Sequence, residues 1–373
     1  MATTHAASRE ALPSDFDRSF EYCAQADGPQ LSGEYRELKK SIERAGLFER
    51  QYGYYARTVL VTWSLLALGF ALLPLSSARG LYLADAVFLG IVFGQFAYLG
   101  HDGAHGEVFR DWRNNHLFCL IQGNLMLGLS TGWWARKHNI HHSNPNCAGL
   151  DGELEIAGLA FTDADALKRT GWMREAAKVQ AYTFFPLLAL TALALRIESA
   201  QFIAQGKPKH AVAEGLLAVS HFVLYGWFVF SVLGASRGAW FVLVHQIVFG
   251  LYMGLVFAPN HKGMPMIPNG VHLNFLHRQV ITARNITPGP MTDWWYGGLN
   301  YQIEHHLFPS MPRNRLKDAR AIVEPFCRAH AIPYSETGAF NCYREILRYL
   351  DAIGAAVRNA PTSTGAARDR GQG

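Results

Sequence analysis

Four stretches of this chain are long and apolar enough to cross a lipid bilayer, and this limits the fold more than any other feature. A spanning helix needs about 20 mostly apolar residues, and inside hydrocarbon each backbone N–H and C=O must find its partner within the segment. Thr58–Ser76 and Leu81–Gly100 meet that length and are joined by the short Ser77–Gly80. Ala211–Gly234 and Ala239–Asn260 also meet it and are joined by Ala235–Arg237. Two weaker runs fall short: Ala181–Leu195, which contains Pro186, and His116–Trp134, which polar residues and glycines interrupt. Half of the residues are hydrophobic and 17% are charged, so the chain divides itself between lipid and water.

Parity and charge orient these segments. If two hairpins cross and return, the N-terminal region, the Gly100–Ala211 region and everything after Asn260 share one side. Only Arg79 and Arg237 lie in the short far-side loops, while nearly all other Lys and Arg lie on the shared side. The excess of basic residues in cytoplasmic loops makes the shared side cytoplasmic. The expected fold is therefore all-α and integral to a membrane, with four transmembrane helices in two hairpins carrying a helical cytoplasmic cap. The two weaker runs are expected to lie in the interface. Within the cap, Leu316–Ala331 and Tyr343–Val357 have helical periodicity. Three regions follow: 1–50, an N-terminal cytoplasmic segment disordered over Met1–Gln30; 51–345, the membrane domain; and 346–373, a helix end with a flexible tail from Arg358.

Several classes are argued against. The net charge of +5 reflects positive-inside loops or a surface facing anionic lipid, and no basic run interleaves with aromatics as nucleic-acid binding would require. The five cysteines, Cys23, Cys119, Cys147, Cys327 and Cys342, lack CxxC spacing, which removes zinc-knuckle and iron–sulfur readings and points to free thiols. The first 56 residues hold no apolar run of about 7–15 residues, against a cleavable signal peptide.

The 16 histidines carry the chemical signal. His101 and His105 form an HxxxH box directly after the second run, His138, His141 and His142 form HxxHH, and Gln302, His305 and His306 form QxxHH past the fourth run. Residues at i, i+3 and i+4 project from one helix face, so each box presents its imidazoles together. A first-row metal at a redox site is served by several neutral nitrogens. Any one box can be incidental or a packing feature. All three on one membrane face point to a shared metal centre.

The order HxxxH, HxxHH, QxxHH around two hydrophobic hairpins resembles the membrane fatty acid desaturase superfamily. Glutamine at the head of the third box resembles its front-end, linoleoyl-CoA-desaturase-like branch. The strings GHDGAHGEVFR, GWWARKHNIHHSNPN, FAPNHKGMP and GGLNYQIEHHLFPSMPR are similar to bacterial members, and the likeness covers roughly residues 50–345. The resemblance implies a non-haem di-iron site, two Fe ions held by His101, His105, His138, His141, His142, His305 and His306 with one further histidine after the fourth span. That histidine best matches His261 in Asn260–His261–Lys262–Gly263, although an interfacial histidine would look the same. Gln302 is either a weak ligand or a neighbour of one, with Asn260 beside it. Asp102, Glu107, Asp151 and Glu304 either orient imidazoles through their outer nitrogens or are solvated carboxylates.

The implied activity is insertion of a cis double bond into a long-chain acyl group, with dioxygen as co-substrate and two electrons from a separate donor. A ferredoxin or a flavin/iron–sulfur reductase using NAD(P)H suits that role, and the bilayer of a bacterial inner membrane is the expected setting. The acyl carrier remains open between coenzyme A, carrier protein and glycerolipid. A hydroxylase, acetylenase or ketolase on the same scaffold is the alternative, and a metal transporter would instead place its histidines near the midplane. His221 lies about 15 Å into the third run, and His245 about 24 Å along the helix from His261, so neither reaches the boxes. Each either lines the end of a substrate tunnel or is a hydrogen-bonded core histidine. Trp133, Trp134, Trp294 and Trp295 either seal the tunnel mouth or are interfacial aromatics. His116, His272, His277 and His330 are expected near the site or on the cytoplasmic surface.

Overall fold

The computed structural model describes residues 31–360 apart from Ala157, Asn269 and His272, with the backbone alone for Leu31 and Ser32. Expectations for His5, Cys23, His272, Met1–Gln30 and the tail beyond residue 360 concern residues outside this set. The described part is almost wholly helical: α1 (Leu31–Arg44), α2 (Tyr52–Ala78), α3 (Tyr82–Ala104), α4 (Trp112–Cys119), a π-helical turn (Leu120–Leu125), α5 (Thr131–Ser143), α6 (Asp163–Lys168), α7 (Gly171–Lys178), α8 (Gln180–Leu188), α9 (Thr191–Ala204), α10 (Ala211–His261), α11 (Phe275–Ile281), α12 (Pro290–Trp295), α13 (Gln302–Leu307), α14 (Leu316–Ala329) and α15 (Ala339–Asn359). Asn285–Ile286 (β1) and Glu336–Thr337 (β2) pair in parallel.

Three helices are long and apolar enough to cross a membrane: α2, α3 and α10. A fourth candidate is α8 with α9, bent by 69°. Leu60 (68% exposed) on α2 and Trp227 (68% exposed) on α10 belong to broad outward apolar faces. Faces of this size are stable against lipid, and the protein is an integral multi-pass membrane protein.

The 51-residue α10 is not a straight rod. Gly234 has φ 73° and ψ 178°, a left-handed conformation that costs glycine nothing and strains other residues. Tyr225 Oη lies 2.9 Å from His245 Nδ1, although 20 positions of straight helix would separate them by about 30 Å. The chain therefore doubles back at Gly234. The expected loop Ala235–Arg237 is not a loop; those residues are helical, and one glycine makes the reversal. Arg237 Nη1 donates to Ser77 Oγ at 3.5 Å, so this bend and the α2–α3 turn share one end of the bundle. The histidine boxes lie at the other end.

The central contact is α3 against the returning half of α10. It is close because small residues face large ones: a Cβ on Gly94 would meet the Tyr252 ring at 2.2 Å, and one on Gly90 would meet Val248 at 2.8 Å. Phe93, Phe96, Phe249 and Met253 fill the resulting core.

Other details depart from the sequence reading. Ala181–Leu195, expected as an interfacial piece, becomes α8 and α9, whose bend wedges against α10; a Cβ on Gly250 would meet Ala189 O at 2.5 Å. His116–Trp134 is divided among α4, the π-helical turn and α5. The 345/346 boundary falls inside the unbroken α15, and Arg358, expected in a flexible tail, lies on that helix and donates to Lys178 O. In the cap, Leu38 and Ile42 of α1 pack with Leu276, Leu316 and Val323, a cluster that steadies α13 from behind.

Candidate metal centre

Four separate chain segments bring imidazoles to one buried point. The C-terminal end of α3 supplies His101, with His105 as its C-terminal cap residue. α5 supplies His138, His141 and His142, the last residue of α10 supplies His261, and the short α13 supplies His305 and His306. One nitrogen from each of His101, His105, His138 and His305 lies within 4.8 Å of the others, and the same holds for His141, His261 and His306. His142 joins the two groups: its Nε2 is 3.0 Å from His138 Nε2 and 3.1 Å from His305 Nε2, and its ring stacks on His306 at 4.2 Å. All eight imidazoles named from the sequence thus share one cluster.

The spacing is that of ligands around a cation. Nε2 atoms of His101 and His305 are 3.2 Å apart, and those of His141 and His261 are 3.3 Å apart. Two nitrogens each about 2.1 Å from one metal and at right angles to one another are about 3.0 Å apart. The outer nitrogens tell the same story. His141 Nδ1 lies 2.9 Å from Asp151 Oδ2, His261 Nδ1 3.0 Å from Thr282 O, His306 Nδ1 2.9 Å from Gln279 Oε1 and His101 Nδ1 3.3 Å from Asp102 Oδ1. An Nδ1–H donated outward leaves the Nε2 lone pair pointing inward. His105 Nε2 and His306 Nε2 are buried with no hydrogen-bond partner, as expected of nitrogens whose partner is a metal.

Electrostatics favours the neutral rings that ligation needs. Burial, reinforced by neighbouring imidazoles, pushes His138, His142, His305 and His306 well below the ordinary histidine range. Burial alone takes His105 down to about 3. Burial pushes the Asp151 carboxyl up, but the hydrogen bond to His141 and the Lys262 ammonium outweigh it and hold the group below its usual range.

Gln302 touches the site through its side-chain amide. Its Nε2 is 3.0 Å from His261 Nε2, and its Oε1 accepts from Asn260 Nδ2 at 3.0 Å, so Asn260 holds the amide in place. Of the four carboxylates weighed in sequence, Asp102 and Asp151 face imidazoles. Glu304 does not: it accepts from Asn285 Nδ2 at 2.7 Å and Tyr334 Oη at 2.8 Å, and burial raises it to about 7. Neither does Glu107 bond to an imidazole, since its Oε2 accepts from Tyr55 Oη at 2.8 Å and Arg313 N at 2.9 Å. Glu304 is thus held by the Asn285 and Tyr334 side chains and Glu107 by Tyr55 and the Arg313 main chain, although a Glu107 oxygen comes within 4.8 Å of a His101 nitrogen.

The remaining named residues separate cleanly. His221 Nδ1 bonds to Leu125 O at 3.1 Å, and His245 sits edge-on to Phe93 at 4.4 Å beside Tyr225 and Gln246. A narrow apolar cavity runs from His101 and Ala104 past Trp134 to Phe249, Leu195 and Leu127. Trp134 lines it and stacks on His138 at 4.3 Å, whereas Trp133, His221 and His245 are not among its walls. His277, expected at the site's edge or on the surface, is buried with Asn274. His116 packs against His210, and His330 stacks on Phe326. Trp295 lies against Tyr252. Gln279 and Thr282 escaped the sequence reading; Gln279 lies inside the FLHRQVI helix and Thr282 caps its C-terminus.

Comparison with known proteins gives a consistent result. A family model described as "Fatty acid desaturase" matches residues 78–338. The Acyl-lipid (9-3)-desaturase of Physcomitrium patens is 30% identical over 358 residues, which cover 90% of this chain and 66% of that protein. The Delta(6)-fatty-acid desaturase fat-3 of Caenorhabditis elegans is 30% identical over 332 residues, covering 85% of this chain and 74% of its own length. The Delta(8)-fatty-acid desaturase of Euglena gracilis is 29% identical over 358 residues, covering 92% and 84%. The chain thus spans slightly under two thirds of the Physcomitrium protein, and all three matched proteins are eukaryotic.

Proposed function

The chain belongs to the fatty acid desaturase family, and from that premise we propose how it works as a membrane di-iron fatty acyl desaturase. The observation that carries the reading is the convergence of eight imidazoles, six of them buried, at one end of an apolar cavity. One iron would be held among His101, His105, His138 and His305, the other among His141, His261 and His306, with His142 between them and Gln302 beside His261. When bound, the two irons supply the reduction of dioxygen and the oxidising power that no side chain has. Over one turnover, dioxygen, two electrons and two protons enter, one cis double bond forms, and two waters leave.

The chain's own residues position, exclude and hold. The cavity walls Phe249, Met253 and Phe257 lie four residues apart on one face of α10, which gives the acyl chain an apolar track toward the histidines. Trp134 closes the track beside His138 and keeps bulk water from the reacting carbons. Asp151, Thr282, Gln279 and Asp102 keep protons on the outer nitrogens and lone pairs on the inner ones.

The finer placement follows from the same residues. Gln302 at the head of the third box supports the front-end, linoleoyl-CoA-desaturase-like branch, and the strings flanking the boxes support a bacterial inner-membrane setting. The reversal at Gly234 and the basic residues around the boxes support two hairpins, with the boxes cytoplasmic and Arg79 and Arg237 on the far side. Residues 51–345 form the catalytic domain. Electrons come from a separate ferredoxin or a flavin/iron–sulfur reductase using NAD(P)H, docking on the basic cap.

The test is fatty-acid methyl ester analysis of a host that expresses the chain with a reductase partner. A new cis-unsaturated species, lost in His138→Ala, is expected, together with about two irons per chain in the purified protein. A hydroxylated product alone, or zinc without iron in protein active as isolated, would overturn the reading.

A further inference from the structure

The helix that carries HxxHH starts against an acidic side chain from a distant part of the sequence. Glu214 lies in the first turn of α10 and is 1% exposed. Its Oε2 accepts from Ser130 Oγ at 2.5 Å and from Gly132 N at 3.2 Å, and Asn124 Nδ2 donates to its main-chain oxygen at 3.3 Å. Ser130 is itself the N-cap of α5, its Oγ accepting from Trp133 N at 3.0 Å. Thr131 is tied to Asn124 Oδ1 through both N and Oγ1, at 3.1 and 2.6 Å.

A serine cap alone suffices for most helices. Here a carboxylate is added that accepts another first-turn N–H and faces the positive end of the helix dipole. A buried carboxylate is costly unless its oxygens are bonded, and the bonds of this one all lead to the start of α5 or to the turn before it. Gly132 makes the contact possible: a Cβ there would lie 2.9 Å from Glu214 Oε1 and 3.2 Å from Pro208 Cβ.

What α5 carries gives this anchor its meaning. Ser130, Thr131 and Trp134 line the acyl cavity, and Trp134 stacks on His138 one turn later. One rigid helix of 13 residues therefore holds both a cavity wall and three of the imidazoles. Its far end is held separately, by Asp151 on His141 and by Gln279 Nε2 donating to His142 O at 2.8 Å. The near end is held by Glu214 together with Asn124, Ser199 and the Ser130 cap.

We propose that Glu214 is a positioning residue for the reaction, anchoring the start of the HxxHH helix and so setting the register between the acyl chain in the cavity and His138, His141 and His142. The proposal rests on the desaturase reading above. It assigns Glu214 no contact with substrate or metal.

Two variants test it in the full-length, detergent-solubilised protein. Glu214→Gln keeps the shape and removes the charge, while Gly132→Ala pushes the same contact apart and leaves the charge. Iron content and elution should match the unaltered protein, because the ligands are held by other groups. Turnover should fall roughly 10- to 100-fold with KM within about twofold, the signature of misplaced rather than unbound substrate. A second positional isomer should appear among the products, and the amides of residues 131–134 should exchange at least about tenfold faster. A lower melting temperature with a single isomer at normal turnover would overturn the proposal, as would unchanged exchange in both variants. If the unaltered chain formed no double bond, the desaturase reading would be what fails, and the exchange comparison would still decide the anchoring.

Discussion

Asp151→Asn is the substitution whose consequence can be worked most completely from the geometry. Asp151 accepts three hydrogen bonds: Oδ1 from Glu153 N at 2.9 Å, and Oδ2 from Asn146 N at 2.9 Å and from His141 Nδ1 at 2.9 Å. Asparagine has the same size but only one acceptor. With its oxygen in the Oδ2 position, its NH2 meets the Glu153 N–H, donor against donor. Flipped, its NH2 faces the Asn146 N–H and His141 Nδ1, which drives the His141 proton to Nε2, the nitrogen that points at His261. Either way one bond to a charged acceptor is lost and a buried donor is left unpaired, about 1.5–3 kcal/mol. Since about 1.4 kcal/mol is a factor of ten, the metal bound by His141, His261 and His306 should weaken roughly 10- to 100-fold. The assay is iron retained per chain across a chelator series, with elution and melting temperature as folding controls. The variant should lose about one iron at chelator concentrations that the unaltered protein tolerates. Equal retention of both irons with normal turnover would refute the reasoning.

Two further outcomes are expected. His261→Ala should lose iron and activity, whereas His245→Ala, sixteen positions earlier and packed on Phe93 and Tyr225, should keep its iron and at most shift chain-length preference; normal turnover in His261→Ala would remove that residue from the site. The folded-state values of His138, His142, His305 and His306 lie below the unfolded value, so the unfolded chain takes up more protons in acid. Stability of the iron-stripped protein is therefore complete above pH ~6.5 and should fall below it, by up to about 1.4 kcal/mol per pH unit for each ring. A melting temperature in detergent that is flat or rises from pH 7.5 to about 5.5 would contradict this.

Much of the molecule was legible in the amino-acid order because the relevant properties are local. Spanning length is a run of apolar residues, and it located α2, α3 and both halves of α10. Ligand character is a spacing of three or four along a helix, and it named seven of the eight imidazoles that converge; His261, outside any box, was named by the family resemblance instead. The tertiary structure decided everything that depends on which segments meet. His101 and His305, 204 positions apart, become neighbours only because α13 is packed under the end of α3. The division of eight histidines into two groups joined by His142 has no trace in the boxes, since His138, His141 and His142 share one helix yet point into different groups. Asp151 faces an imidazole while Glu304, closer in sequence to two of them, does not. The outer partners Gln279 and Thr282 come from a segment with no histidine-box pattern, and Glu214 reaches Ser130, at the start of the helix that carries the second box, across 84 positions. Local periodicity reports the face a side chain leaves from. Which acceptor, wall or metal-facing nitrogen it then meets is set by long-range packing, which sequence spacing does not encode.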